Sequence, residues 1–290
     1  MKLATFSHGG RTRIGVVQGE EIVDLAGAAP ELPMETIALL AAGSGALAAA
    51  ERAAARPGPR IPLAEVHLEA PLRRPAKLLA VGLNYAEHAA EMGRERPGVP
   101  IVFNKQTSCI VGPWDPVHLP RVSRALDYEG ELAFVIGRRC RHVPRDRAAE
   151  VIAGYTVMND VSVRDWQGRS PTMTMGKSFD THGPMGPWLV IGDEVADPHG
   201  LGLRTWVNGE LRQDSNTKDL IFDCFALVEH LSTAFTLEPG DVVSTGTPAG
   251  VAVGRKPPPW LVAGDVVRIE IEGIGQIENP VIDEPDTALL

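Results

Sequence analysis

The chain has 290 residues, 44% of them hydrophobic and 22% charged, a balance that suits a soluble globular protein of one large domain or two smaller ones. Lys and Arg number 28 against 37 Asp and Glu, a net charge of -9 with no basic block, which argues against nucleic acid as a partner. No apolar stretch approaches the ~18 residues of a bilayer span, MKLATFSHGGRTR lacks a leader's apolar region, and Cys109, Cys140 and Cys224 have no disulfide or zinc spacing, so a cytoplasmic location without membrane contact is expected.

Residues 1–25 alternate (RIGVVQGEEIVDL) and predict two short antiparallel strands about a Gln18-Gly19-Glu20 turn. The Ala- and Leu-rich run 35–55 predicts helix interrupted at Gly43-Ser44-Gly45. The proline-punctuated RPGPRIPLAEVHLEAPLRRPAK that follows is a linker, which divides the chain into a small N-terminal α/β domain, 1–70, and a larger domain, 71–290. Beyond it come short strands: KLLAVGL, PIVFNK, GELAFVIG, AGYTVMNDVSV, GPWLVIG, GLRTWVNGE, DVVSTG and VVRIEIEGIG. Helices are expected at YAEHAAEMG and DLIFDCFALVEHLSTAF. The fold class this implies is α+β, dominated by strands.

Four groups of residues invite a chemical reading. In DYEGELAFVIG, Glu129 and Glu131 lie two apart and so share one face of an extended chain. GYTVMNDVSVRDWQ delivers Asp160 at the end of another strand. Such acids together would form an all-oxygen site for Mg²⁺, Mn²⁺ or Ca²⁺, although the wet face of an edge strand fits the same spacing. In VGLNYAEHAAEMG, Asn84 reads as the N-cap of a short helix on which His88 and Glu91 are neighbours. A carboxylate beside an imidazole raises its basicity, which suits activation of water, and the charged RERPGVP after it suits a lid; a solvated surface pair is the alternative. In TMGKSFDTHGP, Lys177 could face an oxyanion, and in STGTPAGV, Thr247 and the backbone could hold a carboxylate, although a plain turn serves equally; Pro248 and the lack of G-K-[ST] exclude a P-loop.

NYAEHAAE, FNKQTS, DYEGELAFVIG, NDVSVRDWQ, GKSFDTHGP, VNGELRQDSNT and STGTPAGV, in this order, resemble the fumarylacetoacetate hydrolase family from residue 84 to the C-terminus. The N-terminal seventy residues are similar to the small extra domain of many bacterial members. The resemblance implies a β-sandwich-like roll, a homodimer, and Mg²⁺ or Mn²⁺ on Glu129, Glu131 and Asp160. It also implies a His88–Glu91 dyad on a lid helix, an active-site Lys177, and substrate contacts from Gln167 and Thr247, with Tyr85 and Lys105 of second rank. His182 sits where members vary and reads as structural.

The chemistry so implied is cleavage of a C–C bond in a 2,4-dioxo acid of the acylpyruvate or fumarylpyruvate type, through a metal-stabilised pyruvate enolate, as in aromatic catabolism. The same machinery would serve decarboxylation of an oxaloacetate-type 2-oxo acid or isomerisation of a 2-hydroxymuconate-type one. A catalytically silent 2-oxo acid binding protein is the non-enzyme alternative.

Overall fold

A computed structural model describes residues 1–286, without the side chain of Asp193; the last four residues of the expected 71–290 domain lie outside the described residues. Strand residues alternate between two destinations, and this sets the architecture. In the strand Gly130–Ile136 every residue is buried, with Leu132, Phe134 and Ile136 in one hydrophobic cluster and Ala133 and Val135 in another. The period of two therefore places this strand between two cores rather than between a core and water. Strands outnumber helices throughout, so the expected strand-dominated α+β class holds.

The larger sheet has 12 strands. Its middle runs, in spatial order, Lys2–His8, Gly183–Ile191, Ile152–Asn159, Gly130–Ile136, Val242–Ser244, Leu78–Gly82. The N-terminal strand joins through Lys2↔Val190 and Leu3↔Leu189, so the sheet is continuous across the linker near residue 70. A second sheet, ordered Glu210–Asn216, Gly202–Val207, Val266–Ile271, Gly275–Asp283, Val117–Leu119, packs on one face. Leu203, Val207, Ile269 and Ile277 meet Leu132 and Phe134 there. The helices Thr36–Ala41 and Ser44–Ala54, parted at Gly43 as expected, cover the other face with Leu39, Leu40, Ala50 and Ala54.

The two sheets come close at Gly130, where an added Cβ would lie 2.3 Å from Thr205 Oγ1. Only glycine fits between Glu129 and Glu131, and the absent side chain lets the pair sit at the sandwich's mouth. Several strands had no counterpart in the sequence reading, among them Glu210–Asn216 and Gly275–Asp283. Their charged and polar residues (ELRQDSN, GQIENPVID) mask the alternation that identifies a strand.

Candidate active site

The strand carrying Glu131 is central, flanked by Ile152–Asn159 and Val242–Ser244, which rules out the edge-strand alternative. Its antiparallel register pairs Gly130 with Asn159, so Asp160 comes opposite Glu129, and the Asp160 N–H donates to the Glu129 carbonyl at 2.9 Å. Ligand oxygens of Glu129, Glu131 and Asp160 all lie within 4.8 Å of one another, and all three residues are buried. Glu131 accepts from the Ser244 hydroxyl at 2.5 Å and the Gly246 N–H at 2.8 Å. Burial, then repulsion from Asp160 and Glu129, pushes its carboxyl well above the usual carboxylate range. A buried carboxyl crowded by two others calls for a proton or a cation, and an all-oxygen set of this kind fits a hard divalent ion.

Three cations already surround the cluster. Lys177 Nζ donates to Glu129 at 2.6 Å and Asp160 at 2.7 Å. Lys105 Nζ donates to Asp160 Oδ1 at 2.6 Å and to the Lys177 carbonyl. Arg164 donates through Nε to Asp127 at 2.8 Å and through Nη1 to Gln167 at 3.0 Å, while Nη2 lies 2.7 Å from Glu129, close but out of line for a hydrogen bond. Burial works against both charges here: it opposes the lysine ammonium and the carboxylate alike. Even so, Asp160 and Glu129 hold Lys177 above its ordinary value, and Lys177 and Arg164 hold Glu129 well below its own.

The short helix Ala86–Glu91 brings the dyad to the same place. Glu91 Oε2 accepts from His88 Nδ1 at 3.0 Å, which leaves Nε2 as the basic nitrogen. Its other oxygen accepts the Gly250 N–H at 2.9 Å, tying the helix to the loop after Val242–Ser244. Asn84 is not the N-cap; Tyr85 occupies that position, and Asn84 instead bonds Phe222 and Thr245 backbone atoms at 2.7–2.9 Å, fixing the chain's entry into the helix.

A cleft of about 690 Å³ joins these pieces. Its wall includes His88, Glu129, Glu131, Lys177, Gln167 and Thr247, with Glu91 and Asp160 bonded directly behind them. Tyr85 and Lys105 are not on that wall. Tyr85 is fully buried, its hydroxyl without a partner among the described residues, and Lys105 stands behind Asp160. His182 is buried away from the cleft, its Nε2–H donating to the His118 carbonyl at 2.8 Å. Sequence reasoning passed over Arg164 and Asp127. Both were visible in VRDWQ and DYEGE as charges embedded in apolar flanks, the signal of a buried pair. Gln213 was also missed; its side chain takes Gly130 N–H and gives to Thr247 Oγ1 at 2.8 Å, lying in a strand that polar residues concealed.

The family profile "Fumarylacetoacetate (FAA) hydrolase C-terminal" matches residues 77–282, and "Rv2993c-like, N-terminal" matches 1–71. Mitochondrial oxaloacetate tautomerase fahd2 of Xenopus laevis is 44% identical over 274 residues, 93% of this chain and 86% of that one. Among solved structures, maleylpyruvate hydrolase from Sphingobium sp. SYK-6, in complex with manganese(II) and pyruvate, is 37% identical with a TM-score of 0.82. It aligns over 98% of this chain and 100% of that one. Fumarylacetoacetate hydrolase from Exiguobacterium antarcticum is 38% identical with a TM-score of 0.86 over the same shares. With the profile covering the whole cleft wall and well over half of the chain, the chain belongs to the fumarylacetoacetate hydrolase family, its C-terminal domain preceded by an Rv2993c-like segment.

Proposed function

We propose that the chain is a Mg²⁺- or Mn²⁺-dependent enzyme that hydrolyses the C3–C4 bond of a 2,4-dioxo acid. The observation that carries this reading is His88, backed by Glu91, on the wall of the cleft that also holds Glu129 and Glu131. Glu129, Glu131 and Asp160 would hold the ion, which supplies Lewis-acid polarisation of the 2-oxo group. His88, oriented by Glu91, takes a proton from water at Nε2, and the hydroxide adds to the C4 carbonyl carbon. The C3–C4 bond then breaks with its electron pair going to C3 and onward to the 2-oxygen. Lys177 and Arg164 face the charge that develops there. The proton on His88 passes to C3, so that one substrate and one water yield pyruvate and a carboxylic acid. Charge supports the scheme: three carboxylates already meet Lys105, Lys177 and Arg164, so the site can take a dication and still welcome an anionic substrate.

A second reading is favoured by the 44% identity to an oxaloacetate tautomerase. In it His88 moves a proton between C3 and the 2-oxygen, and no water attacks. Metal-titrated assays with an acylpyruvate, oxaloacetate and a 2-hydroxymuconate-type substrate separate the possibilities. Cleavage of the acylpyruvate, lost by at least 100-fold in His88→Ala, is expected. Acceleration of oxaloacetate enol–keto exchange without acylpyruvate cleavage would select the second reading. Silence on every substrate would return the chain to a 2-oxo acid binder.

A further inference from the structure

The loop that follows Val242–Ser244 reaches the cleft at Thr247, and behind Thr247 stands a side chain from the other sheet. Gln213, on the strand Glu210–Asn216, is buried and lies outside the cleft wall that Thr247, Glu129 and Glu131 share. Its Nε2 donates to Thr247 Oγ1 at 2.8 Å and to the Pro248 carbonyl at 2.9 Å, while its Oε1 accepts the Gly130 N–H at 3.0 Å. Thr247 Oγ1 in turn donates to the Gly130 carbonyl at 3.0 Å. A closed ring of hydrogen bonds thus runs through both backbone groups of the glycine between the two glutamates. Counting donors fixes the direction of each bond. The Pro248 carbonyl can only accept and the Gly130 N–H can only donate, so the amide has one orientation and spends both its hydrogens. Thr247 Oγ1 must then accept from Nε2, and its single hydrogen goes to Gly130. The hydroxyl has none left for the cleft and shows it a lone pair alone.

Resting on the hydrolase reading above, we infer that Gln213 is a positioning residue that acts through Thr247, holding its hydroxyl as an acceptor toward the substrate. A carboxylate against this oxygen would meet lone pair with lone pair, so the Thr247 hydroxyl turns the anionic end of the acid away. Lys177 and Arg164, on the same wall, are the donors left to receive it. What Thr247 Oγ1 can accept is an O–H, that of water or of an enol. The role is separate from holding the metal ligands. Glu131 is fixed by the Ser244 hydroxyl and the Gly246 N–H, and Glu129 and Asp160 are fixed by Lys177. None of those bonds runs through Gln213.

The test is a double-mutant cycle on the Mn²⁺-loaded protein, with Gln213→Met, Thr247→Val and the pair. Gln213→Met removes both ends of the amide and frees the hydroxyl to turn. It should lower kcat/KM for an acylpyruvate at least tenfold, yet cost less than twofold once Thr247→Val has removed that hydroxyl. Titration should find Mn²⁺ affinity within threefold of the native value in every variant, which a general loosening of the fold would not leave so. If Gln213→Met impairs folding, Gln213→Asn, too short to span Gly130 and Thr247, goes through the same cycle. A loss below twofold in the native background overturns the inference. A tenfold loss in both backgrounds also overturns it, since Gln213 would then act without Thr247. Calorimetry with pyruvate supplies a readout without turnover. If the native chain cleaves no acylpyruvate, but Gln213→Met weakens pyruvate at least fivefold and only where Thr247 is intact, the hydrolase reading fails and the positioning role stands. In that case, pyruvate affinity unmoved by Gln213→Met overturns the role itself.

Discussion

Arg164 donates to Asp127 at 2.8 Å, and the same guanidinium lies 2.7 Å from Glu129, so one buried cation spans two acids on a single stretch of chain. Asp127 also accepts the N–H groups of Ala252 and Val253 at 2.8 and 3.0 Å, which docks the loop that receives Glu91. Asp127→Asn keeps the shape but leaves the arginine without its main counter-charge. Breaking a buried pair in this way costs about 3–5 kcal/mol, and the urea midpoint should fall accordingly. A change under about 1 kcal/mol would mean that Glu129 alone balances Arg164.

The dyad depends on a glycine. A Cβ on Gly254 would stand 2.3 Å from Glu91 Cδ. Glu91 is the far end of a flexible side chain, so the fold can yield, but only by moving the carboxylate off His88 and the Gly250 N–H. Gly254→Ala should therefore lower hydrolysis at least tenfold while leaving Mn²⁺ affinity within twofold. Kinetics beside a metal titration measure the split; unaltered kinetics would show that Glu91 is not held in place from this side.

The carboxylate set was legible in the sequence because antiparallel pairing brings strand ends together, and EGE and ND are acidic interruptions of otherwise apolar runs. His88 and Glu91 were legible through helical spacing alone. What stayed hidden are contacts between residues far apart in the chain, such as Lys105 with Asp160 or Gln213 with Thr247. No local periodicity encodes those. The strand Glu210–Asn216, which delivers Gln213, lacks the alternating pattern that would have announced it. The continuity of the large sheet through Lys2–His8 was equally invisible, since it rests on a pairing with Gly183–Ile191 at the other end of the sequence.

The crowded acids give the ion and the apo-protein opposite preferences. Glu131→Gln replaces a buried carboxyl whose ionised form is opposed by burial and by Asp160 and Glu129, so the metal-free protein should be no less stable than the native chain by more than about 1 kcal/mol. The same change deletes a ligand. Mn²⁺ at about 100 times its dissociation constant should stabilise the native chain by about 2.7 kcal/mol, and Glu131→Gln should lose most of that gain. Thermal unfolding with and without Mn²⁺, after chelator treatment, tests both halves. A native melting temperature indifferent to the ion would count against the proposed metal site.

His182 predicts how the fold responds to acid. Its Nε2–H donates to the His118 carbonyl at 2.8 Å, and Nδ1 is buried with no partner among the described residues. A second proton would therefore create a buried charge with an unsatisfied donor, and burial holds the ring's pKa down to about 3. The unfolded chain takes up that proton near pH 6.5, before the folded one can. Stability from this residue is thus fully present above pH 6.5 and is lost progressively as pH falls toward about 3. The slope should approach about 1.4 kcal/mol per pH unit between these limits. His182→Gln retains a donor for the His118 carbonyl and cannot titrate. Urea unfolding of the two proteins at pH 7, 6, 5 and 4 should give curves that differ in pH dependence by about one proton. Parallel curves would mean that the imidazole finds a partner when charged, through a local rearrangement that lets Nδ1 reach water.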